Sequence, residues 1–267
     1  MRLLFQIVAL LCCGSSVWAE SGKMVSVAFT RGRPPYVFTE KGQLRGIEID
    51  LTREVLTRLG YKLKAEALSP YRIEAEAKHG KNFDVVIGAP FSSDGARFYS
   101  KPLVKFENVA VVLKSKKIQL KSVKDMNGLR VGAWVNAGDS LGRDFHRQYS
   151  PRISGEPVRN YKEFSKQDEQ FRAFWEDKID VLIMDRYIFG WFRMTQASDA
   201  DVLRDVETFS IFPDPKSTSV AFGDQKMRSA FELELGKMRE SGEYDRIVQS
   251  YVGEKLAAMF KTTEKTH

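Results

Sequence analysis

Cysteine is nearly missing from this chain: its 267 residues hold two, Cys12 and Cys13. Both fall in the apolar leader described below, so the chain that follows has no disulfide and no thiol nucleophile, and its stability must come from packing. Histidine is almost as scarce. His79, His146 and His267 are scattered, without a carboxylate or second histidine at ligand spacing, so no metal site is expected. No Gly-x-Ser-x-Gly elbow, phosphate-binding glycine loop or dinucleotide fingerprint occurs, and neither a catalytic residue nor a cofactor is expected. Beyond the leader no stretch approaches the eighteen or so apolar residues of a membrane span, so a soluble product is expected. Low-complexity segments and short-period repeats are absent too.

The leader itself is informative. Arg2 gives a positive start, Leu3 to Cys13 is apolar except for Gln6, and Val17-Trp18-Ala19 places small residues where a signal peptidase reads them. Residues 1–19 therefore read as a secretory signal cut after Ala19, which implies export. The formal net charge is +7; without the leader, 41 basic residues stand against 35 acidic ones. For an exported protein this surplus suggests a positive surface or a preference for anionic solutes, and nucleic acid is not an expected partner. The lysines between Leu113 and Lys124 lack interleaved aromatics and read as a solvated face.

After the leader, apolar patterning alternates between strand and helix. Met24 to Phe29 reads as a strand, broken by Gly32, Pro34 and Pro35. Asp50 to Leu59 places Leu51, Val55, Leu56 and Leu59 on one helical face, and Gly60 stops it. Tyr61 to Ala67 is a second strand, and Asp84 to Ile87 a strand buried on both faces. The pattern restarts with a strand at Leu129–Ala133, a helix at Glu163–Lys178 and a buried strand at Ile179–Met184. A proline-containing connector at Phe209–Pro215, a strand at Thr218–Phe222 and helices at Gln225–Arg239 and Glu243–Tyr251 follow. Residues 261–267 form a polar tail that is expected to be disordered. Strands alternating with helices imply parallel sheet, and the restart implies a second α/β lobe.

Four stretches in this order resemble a known family. They are RPPYVFTEKGQLRGIEIDLTREVLTRLGY, FDVVIGAPFSSDGARFYSKPL, LKSVKDMNGLRVGAWVNAGDS, and WEDKIDVLIMDRYIFGWF with the closing GEYDRIVQSYVG. The chain is similar to the periplasmic solute-binding proteins of polar-amino-acid ABC importers. The resemblance implies an α/β, two-lobed type II periplasmic-binding-protein fold with two mixed sheets flanked by helices and two crossing hinge segments. Residues 20–107 and 219–267 would form the first lobe and 108–218 the second. It further implies a periplasmic, non-enzymatic protein whose partners are a small-molecule ligand, an amino acid or a relative of one, and an inner-membrane ABC permease. Two other classes fit the same scaffold: a dehydratase-like enzyme and a ligand-sensing module acting on a membrane receptor.

The resemblance also implies a ligand site where loops at strand carboxyl ends face each other, which is where open α/β sheets place ligands. Arg97 would grip a carboxylate through its planar fork, the alternative being a surface arginine. Asp185, at the end of IDVLIMD, would receive an ammonium group or else cap the helix that follows. Tyr36 would cover the ligand, or else serve the core. Gly88, Ala89 and Ser92 would supply donors, with Asn136, Ala137 and Gly138 as the opposing loop. Trp134 and Tyr187 would wall the cleft, or else serve the core, the commoner place for bulky aromatics next to strands. Pro90 and Asn136-Ala137-Gly138 stand where the family has hydroxyl-bearing residues, so the solute need not be a standard α-amino acid. Asp50 reads as fixing the start of its helix, and Glu48 as solvated or in the same first turn.

Overall fold

The computed structural model describes residues 22–93, 97–150, 158–196, 204–213 and 218–254. The expected signal cleavage at Ala19, the polar tail and the end of the 209–215 connector lie outside the described residues. Among the described residues no helix is long and apolar enough to cross a membrane.

Two five-stranded mixed sheets organise the chain. The first contains β1 (Lys23–Thr30), β4 (Tyr61–Leu68), β5 (Val85–Pro90), β6 (Phe98–Ser100) and β12 (Thr218–Phe222), in the order β4-β1-β5-β12-β6. β1 runs parallel to both β4 and β5, while β12 is antiparallel to β5 and β6. The second contains β7 (Asn108–Leu113), β8 (Val131–Trp134), β9 (Tyr161–Phe164), β10 (Val181–Asp185) and β11 (Val206–Phe209), in the order β11-β7-β10-β8-β9. β8, β9 and β10 are parallel, and β7 is antiparallel to β10 and β11. The chain thus crosses between the sheets twice, after β6 and after β11. Thr218 already pairs with Pro90, so the boundary drawn after residue 218 falls one residue inside β12. A small hairpin, β2 (Phe38–Glu40) with β3 (Gln43–Arg45), precedes the first helix.

The buried strands show why continuous apolar runs are needed. In β10, Leu182 and Met184 join one apolar cluster while Val181 and Ile183 join another. In β5, Val85 and Ile87 face one side and Val86 and Ala89 the other. Successive side chains leave a strand on opposite faces, so a strand covered on both sides must be apolar throughout. Each buried valine, leucine, isoleucine or methionine among them contributes about 1.5–3 kcal/mol by leaving water. Among the described residues the α-helices are α1 (Ile47–Arg58), α2 (Pro70–Lys78), α3 (Arg143–Tyr149), α4 (Gln167–Trp175), α5 (Arg186–Thr195), α6 (Gln225–Glu240) and α7 (Glu243–Val252). α2 and α6 begin at side-chain caps, Ser69 and Asp224. α1 starts at Gly46 with no side-chain cap, so Asp50 does not fix that start; its carboxylate meets Arg53 and the Tyr251 hydroxyl.

Two expectations change. The helix read from Glu163 is shorter, because Glu163 and Phe164 belong to β9, where backbone pairing with β8 overrides the helical spacing of the phenylalanines. Of the two readings of Glu48, the first-turn one holds and the solvated one does not: it lies in the first turn of α1 and is 1 % exposed. The largest cluster joins both sheets, taking in Val27 and Phe29, Tyr36, Met184 and Phe189, and Val252. α5 from the second half and α7 from the chain's end meet so closely that a Cβ on Gly190 would stand 2.8 Å from Val252 Cβ.

Candidate functional site

The carboxyl ends of β1 and β5 meet around Arg33. β1 ends at Thr30, and the following turn is closed by Arg33 and Val37, which exchange two backbone hydrogen bonds of 2.9 Å. This aims the Arg33 side chain across the tip of β5. Gly88 there has φ +86°, and a Cβ on it would lie 2.6 Å from Thr30 Oγ1 and 3.2 Å from Arg33 Nη2. Only glycine combines that backbone with that closeness. The Arg33 guanidinium sits 4.9 Å over the Phe106 ring, and Nη2 lies 3.5 Å from Glu48 Oε2. Its Nε is buried and makes no hydrogen bond. Burial pushes the Glu48 carboxyl above its ordinary range, with the Arg33 charge pulling the other way. Ala89 is buried beside this group, and Ser92 lies half-buried on the loop beyond.

The carboxyl end of β10 reaches the same region through Tyr36. Its hydroxyl donates to Asp185 Oδ1 at 2.7 Å, linking the turn after β1 to the last residue of β10. The backbone N–H groups of Tyr187 and Ile188 donate to the same oxygen at 3.0 and 3.1 Å, and Glu107 N–H donates to Oδ2 at 3.0 Å. Asp185 is therefore the N-cap of α5 and a tie to the first crossing segment. Its burial raises its carboxyl pKa, opposed first by the Tyr36 bond and then by the three N–H groups. Glu107 pairs through Oε2 with Arg186 at 2.8 Å and accepts from Ser210 Oγ, just after β11, at 2.5 Å. Both crossings are thus wired to the start of α5.

Several expected site residues are elsewhere or committed. Arg97 does not join this group. β6 is antiparallel to β12 and β12 to β5, so β6 runs parallel to β5 and Phe98 aligns, through Phe222, with Val85. Phe98, and Arg97 just before it, therefore lie at the amino end of β5. There the Arg97 guanidinium donates to the carbonyls of Gly80 and Phe83 at 3.0 and 2.9 Å and approaches that of Asp84 at 3.5 Å. It lines a separate recess of ≈680 Å³ with His79, Lys81, Asp224 and Met227. Tyr36 is fully buried, its ring 4.3 Å from Phe106 and 6.1 Å from Tyr187, so it packs rather than covers an open cleft. Asp185 is taken up by its four donors. Tyr187 is buried, and Trp134 packs against the second sheet's outer cluster.

The expected opposing loop follows β8. Asn136 is left-handed at φ 61°, and Ala137, Gly138 and Asp139 form a single 3-10 turn with Ala137 buried. Beside it Gly138, Asp139, Arg143, His146 and Arg147 line a shallow depression of ≈540 Å³. No group of three or more metal-ligating side chains occurs among the described residues. Arg33 was not singled out in the sequence. Its signal was there: a charged residue between a strand and Pro34-Pro35, whose fixed backbone holds it at the strand tip.

This topology and this junction of strand tips agree with a match of the chain to one family model, over residues 25–254. The chain belongs to the bacterial extracellular solute-binding proteins, family 3. Solved structures with the same fold include a polar amino acid ABC uptake transporter substrate-binding protein from Streptococcus thermophilus, with TM-score 0.70 and 21% identity over 93% of each chain. The second substrate-binding domain of GlnP from Lactococcus lactis, in an open conformation, gives TM-score 0.64 and 18% identity over 88% of this chain and 97% of that one. A Streptococcus pneumoniae ABC uptake transporter substrate-binding protein with bound histidine gives TM-score 0.56 and 22% identity over 89% and 95%. At such identities these structures speak to the fold. No curated protein matches the chain. As a family 3 solute-binding protein, it is of the exported, extracellular type that serves transport.

Proposed function

We propose that this protein captures a small polar solute between two α/β lobes, residues 20–107 with 218–267 and residues 108–217, and presents it to an ABC importer in the inner membrane. The exported chain would begin after Ala19 and work in the periplasm. The solute would be an amino acid or a related small acid. Arg33 would be its charged anchor, with Gly88, Ala89 and Ser92 beside it and Asn136, Ala137 and Gly138 closing from the other lobe. The observation that carries this reading is the Arg33 guanidinium: a cation at the carboxyl ends of two parallel strands, with a buried Nε that has no acceptor. Closure would be a population shift, with ligand bridging the lobes and stabilising the closed shape. Arg97, tied to three carbonyls, has no part in it.

Raised carboxyls at Glu48 and Asp185 favour a second reading, an enzyme of the dehydratase kind on the same scaffold. Against it, Asp185 is held by four donors and Glu48 is buried against Arg33, so neither offers a proton to a bound solute. A thermal-shift screen of the 20–267 chain against amino acids, carboxylates, polyamines and sugars tests the proposal. A binder at a hundred times its Kd should add about 2.7 kcal/mol of stability. A screen in which no class raises the melting temperature refutes it, and turnover of the bound compound would select the enzyme.

A further inference from the structure

A zwitterionic amino acid asks two things of its site, a cation for the carboxylate and an acceptor for the ammonium group. Among the described residues, the carboxylates near the junction of the two sheets are committed elsewhere. Asp185 accepts from Tyr36 and from three backbone N–H groups and is 6 % exposed. Glu107 is shared between Arg186 and Ser210. Asp50 meets Arg53 and Tyr251. Glu48 is buried against Arg33. Asp139, on the opposing loop, faces His146 at 3.8 Å in a depression it shares with Arg143 and Arg147. The cationic side is better supplied. Arg33 offers a guanidinium with an unused Nε and one long contact, and Arg31, just past the end of β1, is exposed.

We infer that the solute is recognised as an anion, a small carboxylate held by Arg33, and that no ammonium group is needed for binding. This rests on the solute-binding reading above and narrows it to one ligand class. A fork-shaped guanidinium whose donors are not saturated matches a carboxylate in two parallel hydrogen bonds. An ammonium group brought to Asp185 would instead have to reach a carboxylate that is 6 % exposed and already accepts from four donors. A zwitterion would enter with its ammonium unpaired, and leaving a charge unpaired in a closed site is costly.

Calorimetry on the 20–267 chain with matched pairs tests this: glutamate with glutarate, leucine with 4-methylpentanoate, phenylalanine with 3-phenylpropanoate. In the pair that binds, the amine-free member should bind at least as tightly as the amino acid. Arg33→Ala should weaken it more than about tenfold, as expected when one partner of a desolvated charge pair is removed. Arg33→Lys, which keeps the charge and loses the fork, should fall between the two and guards against a folding defect in the alanine variant. An amino acid that binds more than about tenfold tighter than its amine-free partner overturns the inference. So does an affinity that Asp139→Asn abolishes. If an amine or a sugar binds while no carboxylate does, the inference fails and the solute-binding reading stands; if no compound of any class binds, both fail.

Discussion

Tyr36→Phe is the sharpest test of how the two halves are joined. The substitution removes one oxygen. That oxygen donates to Asp185 Oδ1 at 2.7 Å, and both side chains are buried. A hydrogen bond to a charged group contributes about 1.5–3 kcal/mol. Two features keep the loss from growing beyond that. Asp185 retains three backbone N–H donors, so its carboxylate is not stranded. The ring keeps its place against Phe106, 4.3 Å away, and leaves no cavity larger than the lost hydroxyl. The expected cost is therefore about 2 kcal/mol, which for a domain of this size lowers the melting temperature by about 4–8 °C. Urea denaturation at neutral pH, with the midpoint and slope fitted separately, reads it directly. Asp185→Ala should cost more, about 3–5 kcal/mol, because it also strips the cap of α5 and orphans the Glu107 N–H and the Tyr36 hydroxyl. A Tyr36→Phe protein within about 0.5 kcal/mol of the original would refute the reasoning, since surface substitutions commonly do no more than that.

Other outcomes follow from the same geometry. Arg97→Ala should leave solute affinity unchanged within about twofold while lowering stability by about 1 kcal/mol through its lost carbonyl bonds; a tenfold loss of affinity by calorimetry would return Arg97 to the ligand site. Gly88→Ala should cost about 2 kcal/mol in denaturation, because φ +86° is strained for alanine and its Cβ would press on Thr30 Oγ1. Glu48→Gln should stabilise the protein at pH 8 and do so less at pH 4. The folded carboxyl lies above its ordinary value of 4.5, so the stability associated with its proton is complete below that value and is lost as pH rises through the folded value. Melting curves at the two pH values check the sign, and a larger gain at pH 4 would reverse the assignment.

Much of the architecture was legible because it depends on local patterning. The apolar runs at 24–29, 61–67 and 179–184 are strands within a residue or two of where they were read, and the run at 84–87 is one that continues to Pro90. The stripes of Met227, Phe231, Leu235 and Met238 and of Tyr244, Ile247, Val248 and Tyr251 lie on α6 and α7. What was not legible depends on pairing. Val109 to Leu113 carries no alternation of its own and declares itself a strand by bonding to both β10 and β11. Tyr161 to Phe164 has helical spacing but is held as β9 by β8. A short segment's state is decided by whichever neighbour supplies its backbone hydrogen bonds.

The site follows the same rule. A strand tip in sequence is not yet a position in space, because the next connection can stay at that end of the sheet or travel to the other. Asp185 closes β10 and Gly88 lies near the end of β5, so both stay at carboxyl ends, as read. Arg97, the residue before β6, sits at the amino end of β5, and only the β6–β12–β5 pairing reveals that. Arg33, by contrast, follows β1 by a turn closed within a few residues, and Pro34-Pro35 leaves that turn no room to move it away. Of two arginines after two buried strands, the one on the tighter turn is the one that stays where the ligand is expected. Loop length and the constraint on the backbone, rather than resemblance of the surrounding letters, separate the candidate anchor from the structural cation.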